Sequence, residues 1–132
     1  MKLIIEGNPI AKMRARHTNR GGFVKTYDPQ EKEKNDTKKK LAICVMNCQS
    51  TNPIMINHIL NAKSLNVTFW FYFLPIKSDL GVKHNRQCWG FNTHCKKPDI
   101  DNIQKFYMDC GNGILWNDDN LIAEIHSQKL YS

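Results

Sequence analysis

The sequence predicts a single α+β domain, a small mixed sheet with two helices packed on it. Three observations predict it. Strand-like and helix-like stretches are interspersed along the 132 residues. The run Leu65 to Ile76 (LNVTFWFYFLPI) is the most hydrophobic and β-prone in the chain, as a buried strand requires. Helix starts at Asp28-Pro29 and at Pro98-Asp99 are each followed by apolar residues at helical spacing. A chain of this length has room for one core, so residues 1–132 are read as one domain.

The elements follow in order. Leu3 to Glu6 reads as a short first strand that stops at Gly7 and Pro9. Residues 8–28 are rich in Arg, Lys, Gly and Thr, with Gly21-Gly22 as a turn signal, and are expected to form a loop or irregular hairpin. Asp28 as N-cap, Pro29 at N1 and Glu31 at N3 open a helix expected to run to about Cys48. Its apolar stripe is Leu41, Cys44, Val45 and Cys48, and Pro53 closes that unit. The pattern from His58 to Ser64 is ambiguous, and Leu65 to Ile76 is the central strand. A long polar loop spans 77–98. A second helix starts near Asp99 or Asp101 with Ile100, Ile103, Phe106, Tyr107 and Cys110 on one face, and Gly111 and Gly113 end it. After the Asn117–Asn120 turn, residues 121–126 alternate as a half-buried strand, with Leu121, Ala123 and Ile125 inward.

Charge divides the chain unevenly. The net charge is +7, yet residues 99–132 carry six Asp/Glu against two Lys/Arg. Five of the twelve acidic residues, Asp99, Asp101, Asp109, Asp118 and Asp119, fall between Lys96 and Asp119. Carboxylates crowded together repel, and a bound divalent cation offsets that repulsion most simply. A cationic body around such a pocket is the layout of an enzyme that cuts nucleic acid. No stretch approaches the length of a membrane span, and the N-terminus MKLIIEGNP is no signal peptide, so a cytoplasmic protein without a membrane partner is expected. The five cysteines, irregularly spaced, read as free thiols.

The acidic residues form a pattern. With Asp99 as cap and Asp101 in the first turn, both carboxylates can point out of a helix end. The bland reading is that they only cap it, each worth ~0.3–1 kcal/mol against the helix dipole. Capping does not explain the second pair, Asp118-Asp119. Three or four oxygen ligands without a Cys/His cluster suit Mg2+ or Mn2+. Lys105 stands four residues after Asp101 on the same helical face. It reads equally as a surface partner of Asp101, worth ~0.2–0.5 kcal/mol, or as a cation that stabilises charge developing on phosphate. Asp109, a turn further on, reads as a second partner for Lys105.

The elements KPDIDNIQK and NGILWNDD, in this order, with GNPIAKMRAR and Thr26-Tyr27 ahead of the first helix, resemble the RusA family of Holliday junction resolvases. The resemblance runs from Gly7 to about Ile122 and departs at the end, where relatives carry a further strand after the "KxY" element. It implies a homodimeric, Mg2+-dependent endonuclease that resolves four-way DNA junctions by paired symmetric nicks, with no small-molecule cofactor. The family's essential carboxylates fall on Asp99, Asp101 and Asp119 and its essential lysine on Lys105, while Asp118 matches an acidic position in a supporting role.

Lys12, Arg14 and Arg16 alternate, so in an extended segment they would line one edge and track a phosphate backbone, unless they are simply a solvated loop. Lys96 and Lys97 are placed to hold the scissile strand. Trp89-Gly90-Phe91 offers an aromatic to probe an unpaired base. His84, Cys88, His94 and Cys95 are spaced poorly for zinc. Two other functions fit the residues: a non-catalytic nucleic-acid-binding protein, and a metal-dependent nuclease acting on flaps or RNA.

Overall fold

A computed structural model describes residues 1–74 and 93–132 of the chain. The 77–96 loop is therefore described only from Thr93, and His84, Cys88, Trp89-Gly90-Phe91 and the end of the expected strand at Pro75-Ile76 lie outside the described residues. The described elements are β1 (Arg16–Arg20), β2 (Phe23–Tyr27), α1 (Glu31–Thr51), α2 (Pro53–Leu60), β3 (Leu65–Phe73), α3 (Ile100–Gly111), a 3-10 turn (Asp119–Leu121) and β4 (Ile122–Tyr131). The α+β class holds. The arrangement differs from the expected one: three helices rather than two, and two separate two-stranded sheets rather than one mixed sheet among the described residues.

Each difference has a local cause. Leu3–Glu6 forms no strand. Leu3 and Ile5 do face the core, against Leu41, Phe106 and Cys110, but the backbone beside them bonds to α1 side chains instead of a strand. Lys40 Nζ donates to Glu6 O at 3.1 Å, and Cys44 Sγ to Ile4 O at 3.6 Å. Residues 16–27 form a regular antiparallel hairpin across Gly21-Gly22, whose φ values of 63° and 83° are those of a tight two-residue turn.

The start of α1 shifts because Gln30, not Asp28, takes the cap position. Its buried amide clamps the N-terminal segment: Oε1 accepts from Met13 N–H, and Nε2 donates to Ala11 O at 2.9 Å. Asp28 braces the turn by accepting from Gln30 N–H at 2.9 Å. Pro53 opens a helix instead of ending one. Asn52 caps α2 by accepting from Met55 N–H at 3.2 Å, and Ile56 anchors it in the core.

Strands β3 and β4 pair in parallel, and α3 lies in the connection between them. Along β3, Val67, Phe69, Phe71 and Phe73 turn inward while Asn66, Thr68, Trp70 and Tyr72 face out. Inward Phe71 meets Tyr107 of α3 with ring centroids 5.6 Å apart. Ile103, Phe106 and Cys110 of α3 are fully buried, as their spacing predicts, and Leu41 of α1 joins Phe106 and Cys110 in one cluster. The alternation expected for 121–126 is broken at its start. Leu121 belongs to the 3-10 turn, and the register passes from Leu65↔Ile122 to Asn66↔Glu124, leaving Ala123 exposed in a bulge.

Candidate active site

The end of β4 secures the segment that delivers the first acidic pair. Thr93 bridges to Leu130, and His94 N–H donates to Lys129 O at 2.8 Å. The buried His94 ring stacks on Phe73 with centroids 4.1 Å apart and leans on Tyr131 at 4.9 Å. His94 is thus part of an aromatic stack, and the described residues contain no group of three metal-ligating side chains, zinc-like or otherwise. Lys129 Nζ then donates to the carbonyls of Lys96 and Pro98, each at 2.7 Å.

Asp99 follows at the cap of α3 with an extended backbone (φ −69°, ψ 144°), and its carbonyl accepts from Ile103 N–H at 3.2 Å. Its carboxylate makes no capping hydrogen bond. Asp101, in the first turn, is exposed, and among the described residues it has neither a hydrogen bond nor an ion pair. Both aspartates border an open cleft of about 850 Å³ that is also lined by Ile100, by Thr93 to Cys95 and by Ser127 to Leu130. A carboxylate that caps a helix is held by the backbone N–H groups of the first turn. These two are instead turned to solvent, able to accept an external cation.

Lys105 is exposed one turn along, with no ion pair among the described residues, so the surface pair with Asp101 does not form. Nor does Asp109 serve as its partner. Asp109 accepts from Lys12 Nζ and lies 3.7 Å from Lys34 Nζ, while Lys12 N–H donates to Asn102 O at 2.9 Å. Asp109 and Lys12 therefore fasten the N-terminal segment along α3. Arg14, Arg16, Lys96 and Lys97 are exposed.

The second acidic pair is set by the junction between α3 and β4. Gly111 lies under the Trp116 indole so closely that a Cβ there would meet Trp116 Cζ2 at 2.5 Å. Trp116 is buried and donates through Nε1 to Asn112 Oδ1 at 2.7 Å. The chain leaving this locked turn presents Asp118 and Asp119, and Leu121 N–H bonds back to Asp118 O at 3.2 Å. A hydrogen bond with the Asp118 carboxyl, aided by partial burial and by the charges of Asp118 and Asp109, raises the Asp119 pKa above the ordinary aspartate value. Crowded carboxylates of this kind favour a proton or a cation, and the donors are hard oxygens, which fits Mg2+ or Mn2+. Asp118 and Asp119 are not among the residues that line the cleft of Asp99 and Asp101.

Sequence reasoning did not single out Lys129 or Gln30. Lys129 carried a signal, because it and Lys105 are the two cations after Pro98. Gln30 carried none, since its partners are backbone groups of a segment far along the chain.

The model of the family described as endodeoxyribonuclease RusA matches residues 6–132. No curated protein and no solved structure matches the chain significantly.

Proposed function

The chain belongs to the RusA endodeoxyribonuclease family, and from that premise we propose that it is a homodimeric, divalent-metal-dependent endonuclease resolving four-way DNA junctions by paired symmetric nicks. The family is one of Holliday junction-resolving endonucleases acting on branched DNA. The observation that supports placing the chemistry at the start of α3 is the pair of uncommitted carboxylates, Asp99 and Asp101, on the rim of an open cleft.

In this reading, which the family resemblance supplies, Asp99, Asp101 and Asp119 would together hold the metal with Asp118 supporting Asp119. Among the described residues the structure does not gather the two acidic pairs into one group, so metal binding would have to draw Asp119 to the cleft. Mg2+, or Mn2+ in its place, would supply a water of lowered pKa and polarise a phosphoryl oxygen. Lys105, unpaired among the described residues, stabilises charge developing on the phosphate. Arg14, Arg16, Lys96 and Lys97 hold the DNA backbone, with Lys12 at the root of the first segment, paired to Asp109. Two such sites related by a two-fold axis account for symmetric nicks.

The test is incubation with labelled four-way junction, flap, duplex and RNA hairpin, each in Mg2+ and in EDTA. Cleavage confined to the junction and abolished by EDTA is expected. Asp101→Asn should lose cleavage and keep junction binding. Preferential cutting of flap or RNA would reassign the substrate, and salt-sensitive binding with no product in Mg2+ would make the chain a binding protein.

A further inference from the structure

The hairpin of β1 and β2 has two chemically different faces. From Gly7 to Tyr27 the sequence holds five cations (Lys12, Arg14, Arg16, Arg20, Lys25) and no acidic residue. The tight turn at Gly21-Gly22 fixes the register, and directly paired residues of an antiparallel ladder share a face. One face therefore takes the pairs Arg16↔Tyr27 and Thr18↔Lys25 together with Phe23. The other takes His17↔Thr26 and Asn19↔Val24, with His17 Nδ1 and Thr26 Oγ1 2.9 Å apart. Arg16, Lys25 and both aromatics of the hairpin fall on the first face.

That face is open. All of β2 is exposed, with Phe23 at 84% and Tyr27 at 41%. A phenylalanine this exposed contributes almost nothing to folding through burial, and the positive charge around it disfavours most protein surfaces of like sign. Rows on one face of a strand recur about every 7 Å, so Tyr27 and Phe23 stand at the two ends of the face, with Lys25 between them and Arg16 opposite Tyr27. Aromatic rings with interleaved cations suit an unstacked nucleic-acid strand, because every base offers a π-face and every nucleotide a phosphate.

We propose that the hairpin is a DNA-binding arm whose cation–aromatic face takes unstacked bases at the branch, Phe23 and Tyr27 stacking on them while Arg16 and Lys25 meet the phosphates. The choice of DNA rests on the nuclease reading; the face itself does not.

Fluorescence anisotropy in EDTA separates the two. The full chain and its variants are titrated with a labelled oligothymidine, a four-way junction and a blunt duplex. Phe23→Ala should weaken oligothymidine and junction about tenfold and leave the duplex within about twofold. Phe23→Trp should restore the affinity, which a fold defect would not allow. Lys25→Ala should reduce the salt slope on oligothymidine by about 0.7, the loss of one phosphate contact. Unchanged binding by Phe23→Ala, or an equal loss on duplex, overturns the proposal. A wild-type protein that binds through Phe23 but cuts no substrate in Mg2+ would sink the nuclease reading and leave the arm standing. Junction cleavage with binding indifferent to Phe23 would do the reverse.

Discussion

The ammonium of Lys129 donates to the carbonyl oxygen of Pro98 at 2.7 Å, one residue before Asp99. A second bond of the same length runs to Lys96 O. Strand β4 thus grips the turn that carries a proposed metal ligand, and the proposed site depends on a residue that touches none of its carboxylates. Lys129→Met should lower stability by about 1.5–3 kcal/mol in urea unfolding, the range for hydrogen bonds to a charged group. Junction cleavage should fall by roughly 10- to 100-fold if Asp99 is displaced. Lys129→Arg, which can still donate to both carbonyls, should recover most of it.

Two classes of aspartate are distinguishable by experiment. Asp99 and Asp101 make no side-chain hydrogen bond or ion pair among the described residues, so Asp99→Asn and Asp101→Asn should change stability by no more than the ~0.3–1 kcal/mol of a helix-dipole contact. Both should abolish cleavage. Asp109→Asn should behave oppositely. It loses the ion pairs to Lys12 and Lys34, partly exposed and worth about 1 kcal/mol, yet it should still cut a junction in Mg2+.

These contrasts mark what local sequence can and cannot convey. The helix α3 was legible because Pro98, the cap at Asp99 and the stripe Ile103, Phe106 and Cys110 are all local signals. The hairpin turn was legible from Gly21-Gly22. Pro53 misled because a proline both follows one helix and opens the next, and only the Asn52 cap decides between them. Asp109 misled for a different reason. Helical spacing offered Lys105, but Lys12 and Lys34 arrive from elements distant in sequence. The family resemblance proposed roles for the acidic residues, and the match over residues 6–132 shows the family itself. It conveyed nothing of how Lys129 or Gln30 hold the segments around them.

Gly111 should be intolerant of any side chain. Its Cβ would lie 2.5 Å from Trp116 Cζ2 and 2.9 Å from Cη2, atoms of a buried ring that is itself hydrogen-bonded through Nε1. Gly111→Ala should cost about 1–3 kcal/mol by overpacking, measured by denaturant unfolding. Because Trp116 leads directly into Asp118-Asp119, cleavage should fall as well. Adding Trp116→Leu makes room for the methyl group, so the double variant should be more stable than the sum of the two single losses predicts.

The contact of Asp28 with Lys34 should shape the acid limb of stability. Asp28 accepts from Lys34 Nζ and from Gln30 N–H, in that order of effect, and both hold its carboxyl below the ordinary value of 3.8. A depressed carboxylate pKa contributes stability that is present above the ordinary value and disappears as pH falls through the lowered one. Lys34 is the mirror case. Its bond to Asp28, with the nearby charges of Asp28 and Asp109, raises its pKa above 10.5, so its share is present below that value and disappears as pH rises through the raised one. Asp28→Asn should therefore be less stable than the wild type at neutral pH. The two urea midpoints should converge as the pH is lowered from roughly 7 towards 2. At the alkaline end the Asp28→Asn variant should retain part of the Lys34 effect, because Asp109 remains 3.7 Å from Lys34 Nζ. A constant gap between the two proteins at every pH would mean that Asp28 acts through the turn geometry at Gln30 and not through its charge.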